Sequence, residues 1–331
     1  MTLIETLVEL LHEEGPDKLT LERRNQYAAI FKDDPKLIQS LEGKEWTVGT
    51  SRQYFESLRD RLLEKNQGLA AVVGIPPVLQ VNNLREITSA KRSADEHAVV
   101  IDSFVTTLLW TMDKAWAYGR NIAREEQDVL FCNLFVHFAT LRSFLQQGLV
   151  WPRPKTPPHQ TKEGLALLTF MVGAQESFLI GHELGHIYVD RGGELPKDPV
   201  CMRDFATSYT FLKPRDASID QELLADELAF EFTLRAYQEN ESLEVVAVTS
   251  IFLLIRYHLW LAVICSNGED DRDFTLWFGR NSLFREKARH ICRGETLRSI
   301  VEVSELMEEA IEPAAFRAEK AFKLIREKAD K

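Results

Sequence analysis

The chain has 331 residues, 45% of them hydrophobic, and is therefore long enough to bury a large core without cross-links. Its four cysteines are far apart and form no C-x-x-C pair, which argues against a disulfide framework and predicts a reducing, cytoplasmic location. The net charge of −11, with no basic block along the sequence, argues against a nucleic-acid partner.

The first of three predicted regions, residues 1–92, is expected to be helical. Residues 1–15 interrupt their apolar positions with Glu5 and Glu9 at helical spacing, a pattern typical of an amphipathic helix and not of a signal peptide. Residues 71–81 are rich in β-branched side chains, so a short strand is predicted there.

The second region, residues 93–268, is predicted to form the core. A β-branched run at residues 97–102 predicts a strand, and the helical pattern after it continues to about residue 118. The proline-rich residues 151–160 must be extended or turning. They precede a long helical pattern at residues 161–191, which two glycines then terminate.

The next predicted helix follows a long loop, residues 194–217, which contains three prolines. A loop of this length inside a folded region is commonly functional. Ser218 and Gln221 have the spacing of a capping box, so the helix is expected to run from Ile219 to about Tyr237.

The apolar segment at residues 245–265 is long enough to cross a bilayer. Arg256 and His258 lie near its middle, where a charge is costly in lipid. A helix that is apolar all round is equally typical of the centre of a large core, and the sequence shows no second candidate of this length. We therefore predict a buried helix and no membrane association.

The third region, residues 269–331, is charged and has a helical pattern that Pro313 divides. Over the whole chain, apolar residues recur mostly at intervals of three and four. The predicted fold class is therefore mainly α (α+β), with one small β-sheet.

The strongest chemical signal is the sequence GHELGH at residues 181–186, inside the predicted long helix. His182 and His186 are one helical turn apart, so their imidazoles share a face and can bind one zinc ion. Glu183 lies where its carboxylate can reach a water at the open position of the metal and act as general base. Residues 178–180 are apolar, so the helix is expected to be buried here, and buried ionisable groups need partners.

A third protein ligand is expected, because catalytic zinc sites usually have three. The metzincin continuation, with a histidine six residues after the second, is absent. Glu222 and Asp226 are one turn apart on the next helix, so we predict that Glu222 binds the metal and Asp226 accepts the second ring N–H of a ligand histidine. Glu227 and Glu231 are alternatives, although they point to other faces and are expected to be solvated.

Together, HELGH and ELLAD resemble the two motifs of the gluzincin zinc peptidases, whose second motif is E-x-x-A-D or a near variant. The resemblance covers roughly residues 165–235 and implies a zincin-like catalytic core. Residues 97–118 are similar to the strand and helix that such folds place at the substrate edge. In size and in the lack of a secretion signal the chain resembles the ImmA/IrrE-like peptidases and the phage-exclusion peptidase Lit more than the membrane-embedded HtpX-like group.

The resemblance also implies a mechanism. Zinc would polarise a peptide carbonyl, while Glu183 takes a proton from the attacking water and passes it to the leaving amine. The developing oxyanion needs a further donor. The candidates are Arg256, Tyr257 and His258, the polar residues inside the apolar helix, and we name His258 as catalytic. A core histidine bonded to backbone is the alternative for that residue.

We therefore predict a zinc-dependent peptidase, with Zn²⁺ as cofactor, that makes selective cuts in a protein or peptide substrate. A catalytically silent zinc-binding interaction protein on the same fold is one alternative, although the retained Glu183 favours turnover. Membrane-associated proteolysis is another. The motifs carry no signal for the oligomeric state.

Overall fold

The computed structural model describes residues 48–81, 88–93, 96–119, 121–144, 161–194, 217–266 and 272–329. Within these residues the chain forms ten helices and three strands. The predictions for residues 1–15 and 151–160 lie outside the described residues, as does nearly all of the predicted loop at residues 194–217.

In chain order, the helices are α1 (Val48–Lys65), α2 (Leu69–Val73), α3 (Ser103–Gly119), α4 (Arg124–Phe144), α5 (Lys162–Asp190), α6 (Ala217–Tyr237), α7 (Glu241–Cys265), α8 (Arg272–Ile291), α9 (Gly294–Ala310) and α10 (Glu312–Ala329). The strands are β1 (Val78–Val81), β2 (Thr88–Ser93) and β3 (Glu96–Asp102). The described part of the chain is thus mainly helical with one small sheet, which confirms the predicted fold class at this level.

The three strands form one sheet in the order β1-β3-β2. The central strand β3 pairs in parallel with β1 and antiparallel with β2. All residues of β3 after Glu96 are buried, as expected for a strand with an almost continuous β-branched run and both faces covered. The sheet packs on α5, which contacts both β2 and β3. This packing places β2 beside the helix that carries GHELGH.

The predictions for the strands are partly wrong. The strand predicted over residues 71–81 is confined to β1, because the chain up to Val73 belongs to α2 and Gly74, with φ of 72°, follows that helix. The sequence gives no sign of β2, since its residues, TSAKRS, lack apolar alternation. Pairing with β3 stabilises this polar strand, and local sequence does not contain that information.

The helical predictions agree better with the structure. Helix α3 begins directly after β3, as predicted. Helix α5 is capped by Thr161, whose hydroxyl accepts a hydrogen bond from the Gly164 amide at 3.1 Å. Helix α6 begins at Ala217, so Ser218 lies in its first turn instead of preceding it, and it ends at Tyr237 as predicted.

Helix α7 lies inside the fold and packs against α4, α5, α8, α9 and α10. Two described helices, α5 and α7, are long and apolar enough to cross a membrane, and 72% and 83% of their most apolar windows are buried in the protein. The prediction that the sequence holds no second candidate of this length is therefore wrong, because α5 meets the same criterion. The burial of α7 agrees with the prediction of a core helix.

The site helix α5 lies between two apolar clusters. Phe178 and Leu179 face the larger one, which is built mainly from α3, α4 and α7 to α10. Ile180 and Leu184 face the other, which is built from α1, α2, α5, α6 and the sheet. Helices from all three predicted regions pack around α5 and α6, and the division at residues 1–92, 93–268 and 269–331 stays a prediction.

Candidate metal centre

A close crossing of α5 and α6 brings the two motifs together. A Cβ atom placed on Gly185 would lie 3.1 Å from the carbonyl oxygen of Ala225, and one placed on Gly181 would lie 3.3 Å from Cα of Ala229. Both contacts are tighter than ordinary packing, so larger residues at these glycines would push the helices apart. The glycines of GHELGH and the alanines of α6 therefore set the distance between the candidate ligands.

His182, His186 and Glu222 converge at this crossing. The Nε2 atoms of the two histidines are 3.1 Å apart. Glu222 Oε2 lies 3.3 Å from His182 Nε2, and Glu222 Oε1 lies 3.5 Å from His186 Nε2. Among the described residues this is the one group of three possible ligands whose donor atoms all lie within 4.8 Å of one another.

The donor atoms and their spacing fit a zinc ion. Two ligand atoms held about 2.0–2.1 Å from zinc at a tetrahedral angle are about 3.3 Å apart, close to the three distances observed. Two imidazoles and one carboxylate also suit zinc chemically. A tetrahedral ion bound by these three groups would keep a fourth position for water or substrate, as catalytic zinc sites do.

Asp226 orients the first histidine. Its Oδ1 lies 2.8 Å from His182 Nδ1, and both side chains are buried. When the carboxylate accepts a hydrogen bond from Nδ1–H, the neutral imidazole keeps its lone pair on Nε2. Nε2 is the nitrogen that faces His186 and Glu222. The contact between Asp226 and the second ring nitrogen of His182, which the sequence predicts, is present in the structure.

The cluster is strongly coupled electrostatically. Burial alone would lower the pKa of His182, but the charge and hydrogen bond of Asp226, with contributions from Glu222 and Glu183, raise it to about 10. Burial opposes ionisation of Glu222, yet the two histidines and Arg280 hold the pKa of its carboxyl well below the usual range. His182 must therefore lose a proton before its Nε2 can bind a cation.

Glu183 lies next to the cluster on the same helix. Its side chain is buried, with 3% of the residue exposed, and no described group forms a hydrogen bond or ion pair with its carboxylate. Its charge contributes to the raised pKa of His182. The Glu183 carboxylate therefore lies beside the first candidate ligand, His182, and has no hydrogen-bond or ion-pair partner among the described residues.

Arg280 of α8 is a site residue that the sequence does not predict. Its Nε donates to Asp226 Oδ2 at 2.7 Å, and its Nη2 donates to Glu222 Oε2 at 2.9 Å. Its guanidinium lies 4.4 Å from the ring centroid of Trp277. In the sequence Arg280 is one of many basic residues in a charged helical segment, and no motif distinguishes it.

The alternative ligands Glu227 and Glu231 are engaged elsewhere. Lys287 Nζ of α8 lies 2.5 Å from Glu227 Oε1 and 2.7 Å from Glu231 Oε1. Glu227 is 1% exposed, so the expectation of an ordinary solvated carboxylate is wrong for this residue. Of the three glutamates, Glu222 alone belongs to the cluster, as the helix positions indicate.

His258 lies one layer away from the cluster. Its ring stacks on Trp277, with centroids 4.5 Å apart and an interplanar angle of 11°. Neither ring nitrogen has a hydrogen-bond partner among the described residues, so the alternative of a backbone-bonded core histidine is not seen. Burial, with the charges of Arg142 and Arg280, lowers its pKa to about 3, and the ring is neutral at physiological pH.

The other two oxyanion candidates also lie outside the cluster. Arg256 Nη2 donates to Glu308 Oε1 at 2.8 Å. Tyr257 is completely buried, and burial together with the neighbouring Asp113 carboxyl raises the pKa of its hydroxyl. Of the three oxyanion candidates on α7, only His258 is linked to the site, through Trp277 and Arg280.

Comparison of the chain with protein-family models, with curated proteins and with solved structures found no match in any of the three. Membership of a family is therefore not shown, and the resemblance to gluzincins rests on the two motifs. The function has to be inferred from the site that these motifs form.

Proposed function

We propose that the protein is a zinc-dependent peptidase in which His182, His186 and Glu222 hold the metal and Glu183 is the general base. One observation carries this proposal: ligand atoms from two separate motifs lie within 4.8 Å of one another, at distances that suit tetrahedral zinc. The acidic residue beside the first histidine gives the cluster a group that a purely structural zinc site does not need.

Each residue of the site has a part in the proposed reaction. Zinc bound there would supply Lewis-acid chemistry, by polarising a peptide carbonyl and acidifying a water. Glu183 would take the proton of the attacking water and deliver it to the nitrogen of the leaving amine. Asp226 would keep the His182 ring in the tautomer that presents Nε2 to the site.

Differences in exposure indicate the side from which a substrate would approach. The side chain of His182 is 6% exposed, whereas those of His186 and Glu222 are 28% and 29% exposed. The cluster is therefore covered on the His182 side and open towards solvent at the other two ligands. A peptide carbonyl would enter along this open side.

A zincin-like core is the part of the proposal that concerns the fold. The edge strand β2 runs antiparallel to β3 and contacts the metal-site helix α5. The resemblance to gluzincins implies that an extended substrate lies along such an edge strand. We propose a protein or peptide substrate that is cut selectively, by an enzyme in the cytoplasm.

A zinc-binding interaction protein without turnover is the second candidate. The 3% exposure of Glu183 favours it, because a base covered by protein has little access to a substrate. The presence of Glu183 beside the cluster and the solvent exposure of His186 and Glu222 favour the peptidase. Activity measurements distinguish the two.

The first test is the metal content of purified wild-type protein and of the Glu222→Gln and Glu231→Gln variants, measured by mass spectrometry with circular dichroism as a check on folding. We expect about one zinc per wild-type chain, loss of zinc in Glu222→Gln and retention in Glu231→Gln. Glu231 is a matched control, since it is a partly buried glutamate on the same helix outside the cluster. A folded wild type without bound metal would contradict the proposal.

The second test is cleavage of a peptide library by wild-type protein and by Glu183→Gln. We expect cleavage by the wild type and a loss of at least about 100-fold in rate in the variant, with zinc content unchanged, because a general base contributes on this order. Zinc binding without any cleavage by the wild type would favour the interaction protein.

A further inference from the structure

We propose that Arg280 is a positioning residue of the metal centre, which holds the carboxylates of Glu222 and Asp226 in the orientation that zinc binding requires. The inference rests on the metal centre of the proposed function but not on peptidase activity. It predicts that zinc affinity and ligand geometry depend on a residue that does not itself touch the metal.

The contacts around Arg280 form a closed ring. Asp226 uses Oδ1 for His182 Nδ1, at 2.8 Å, and Oδ2 for Arg280 Nε, at 2.7 Å. Glu222 Oε2 accepts from Arg280 Nη2 at 2.9 Å and lies 3.3 Å from His182 Nε2. Arg280, Asp226, His182 and Glu222 thus contact one another in a ring, and rotation of the guanidinium or of either carboxylate would break a contact.

Arg280 is itself held in place. Its side chain is 11% exposed, and its guanidinium lies 4.4 Å from the centroid of Trp277 on the same helix. The neutral ring of His258 stacks on that tryptophan, 4.5 Å between centroids. Aromatic faces attract a guanidinium, and the attraction is stronger where water is excluded. The buried His258 is therefore linked to Arg280 through Trp277.

The chemistry of the side chain explains why an arginine occupies this position. A guanidinium presents several N–H donors in one rigid plane and can bridge two carboxylates, whereas an ammonium is a point charge without such a plane. Without Arg280, one oxygen of the buried Asp226 loses its partner and the Glu222 side chain gains rotational freedom. Removal of its positive charge would by itself favour the binding of a cation. However, residues that hydrogen-bond to metal ligands usually raise metal affinity because they orient those ligands, so we expect the loss of orientation to dominate.

Lys287 provides a matched control on the same helix. Its Nζ pairs with Glu227 and Glu231 of α6 at 2.5 Å and 2.7 Å, and it is 6% exposed. It therefore joins the same two helices through one buried and one partly buried ion pair. Neither of its partners belongs to the metal cluster, so loss of this pair tests helix packing without touching the ligands.

The experiment compares full-length wild type with Arg280→Met, Arg280→Lys and Lys287→Met. Zinc affinity is measured by competition with a chromophoric chelator, and ligand geometry by the visible absorption spectrum of the cobalt(II)-substituted protein. We expect Arg280→Met to weaken zinc binding by about 10- to 100-fold and to change the cobalt spectrum. Arg280→Lys is expected to recover part of the affinity, and Lys287→Met to stay within about twofold of the wild type.

Two results would overturn the inference: wild-type affinity and spectrum in Arg280→Met, or an equal loss of affinity in Lys287→Met, which would assign the effect to general packing. If Arg280→Met does not fold, Arg280→Lys and Trp277→Leu take its place, and unchanged zinc affinity in both overturns the inference. Zinc binding that depends on Arg280, without peptide cleavage, would contradict the proposed activity alone. A wild type that binds no zinc would contradict both.

Discussion

Helix α5 carries two buried polar clusters with different properties. In its first half, Gln175 Nε2 donates to Asp113 Oδ1 at 3.3 Å and to the Ser250 carbonyl at 2.9 Å. In its second half, the histidine pair faces Glu222. Both clusters join polar side chains of α5 to partners on neighbouring helices, which are α3 and α7 in the first cluster and α6 in the second. Burial of polar groups therefore does not by itself identify a metal centre.

The two clusters differ in whether their donor atoms converge on one point and in whether their side chains reach solvent. Asp113 and Gln175 are fully buried, and burial raises the pKa of Asp113 to about 7, although Gln175 and Tyr257 beside it oppose the shift. The Asp113 carboxyl accepts a hydrogen bond from Gln175, so the first cluster has a neutral partner for its acidic group. In the second cluster three donor atoms face one point, and two of the side chains reach solvent. A catalytic metal site requires these two properties together, because it keeps one position of the metal open.

The sharpest test of this comparison is removal of one donor from each cluster. We expect His186→Ala to weaken zinc binding by about 10³-fold, since each ligand carries a large share of the binding free energy. Gln175→Leu removes a polar group from the same helix and is expected to leave zinc affinity unchanged. Chelator competition measures both, and a loss of zinc in Gln175→Leu would show that the clusters are not independent.

The next effect concerns the pH dependence of stability in the first cluster. The pKa of Asp113 is raised in the folded state, from a normal value near 4 to about 7, so the folded protein binds more protons than the unfolded chain in this range. The wild type should therefore lose stability, relative to Asp113→Asn, as pH rises from about 4 to 7, by a few kcal/mol. Urea unfolding at several pH values measures the difference, and parallel stability curves would contradict it.

A smaller effect is expected from a methyl group at the helix crossing. Gly185→Ala places a Cβ against the backbone of Ala225 and should lower the free energy of unfolding by about 1–3 kcal/mol and weaken zinc binding. Gly173→Ala is the control on the same helix, because its Cβ would meet only Tyr54 Oη, at 3.6 Å. That change should stabilise the helix by roughly 0.5–1 kcal/mol. Thermal unfolding and zinc affinity distinguish the two positions.

Most of the candidate site could be predicted from local sequence, because its residues lie on two helices with a regular repeat. The spacing of His182 and His186 places them on one face, and the spacing of Glu222 and Asp226 does the same on α6. The structure brings these four residues together as the motifs indicate. The spacing within each helix does not determine the distance between the two helices. Four small residues at the crossing set that distance: Gly181, Gly185, Ala225 and Ala229.

The remaining features depend on partners that are distant in sequence. Strand β2 has no apolar alternation and forms because β3 pairs with it. Glu227 has the sequence context of a surface carboxylate, yet Lys287 lies opposite and stabilises it in a buried ion pair. His258 has no polar partner among the described residues and stacks on Trp277, which no periodicity indicates.

The sequence by itself determined the helical class of this protein and the pairs of residues that share a helix face, because hydrophobic period and residue spacing act within one helix. Only the tertiary structure decided that Arg280 contacts the candidate metal cluster and that the donor atoms of the two motifs lie at distances that suit tetrahedral zinc. The physical reason is that these contacts join three helices, and the rotation and separation of packed helices follow from their whole contact surface.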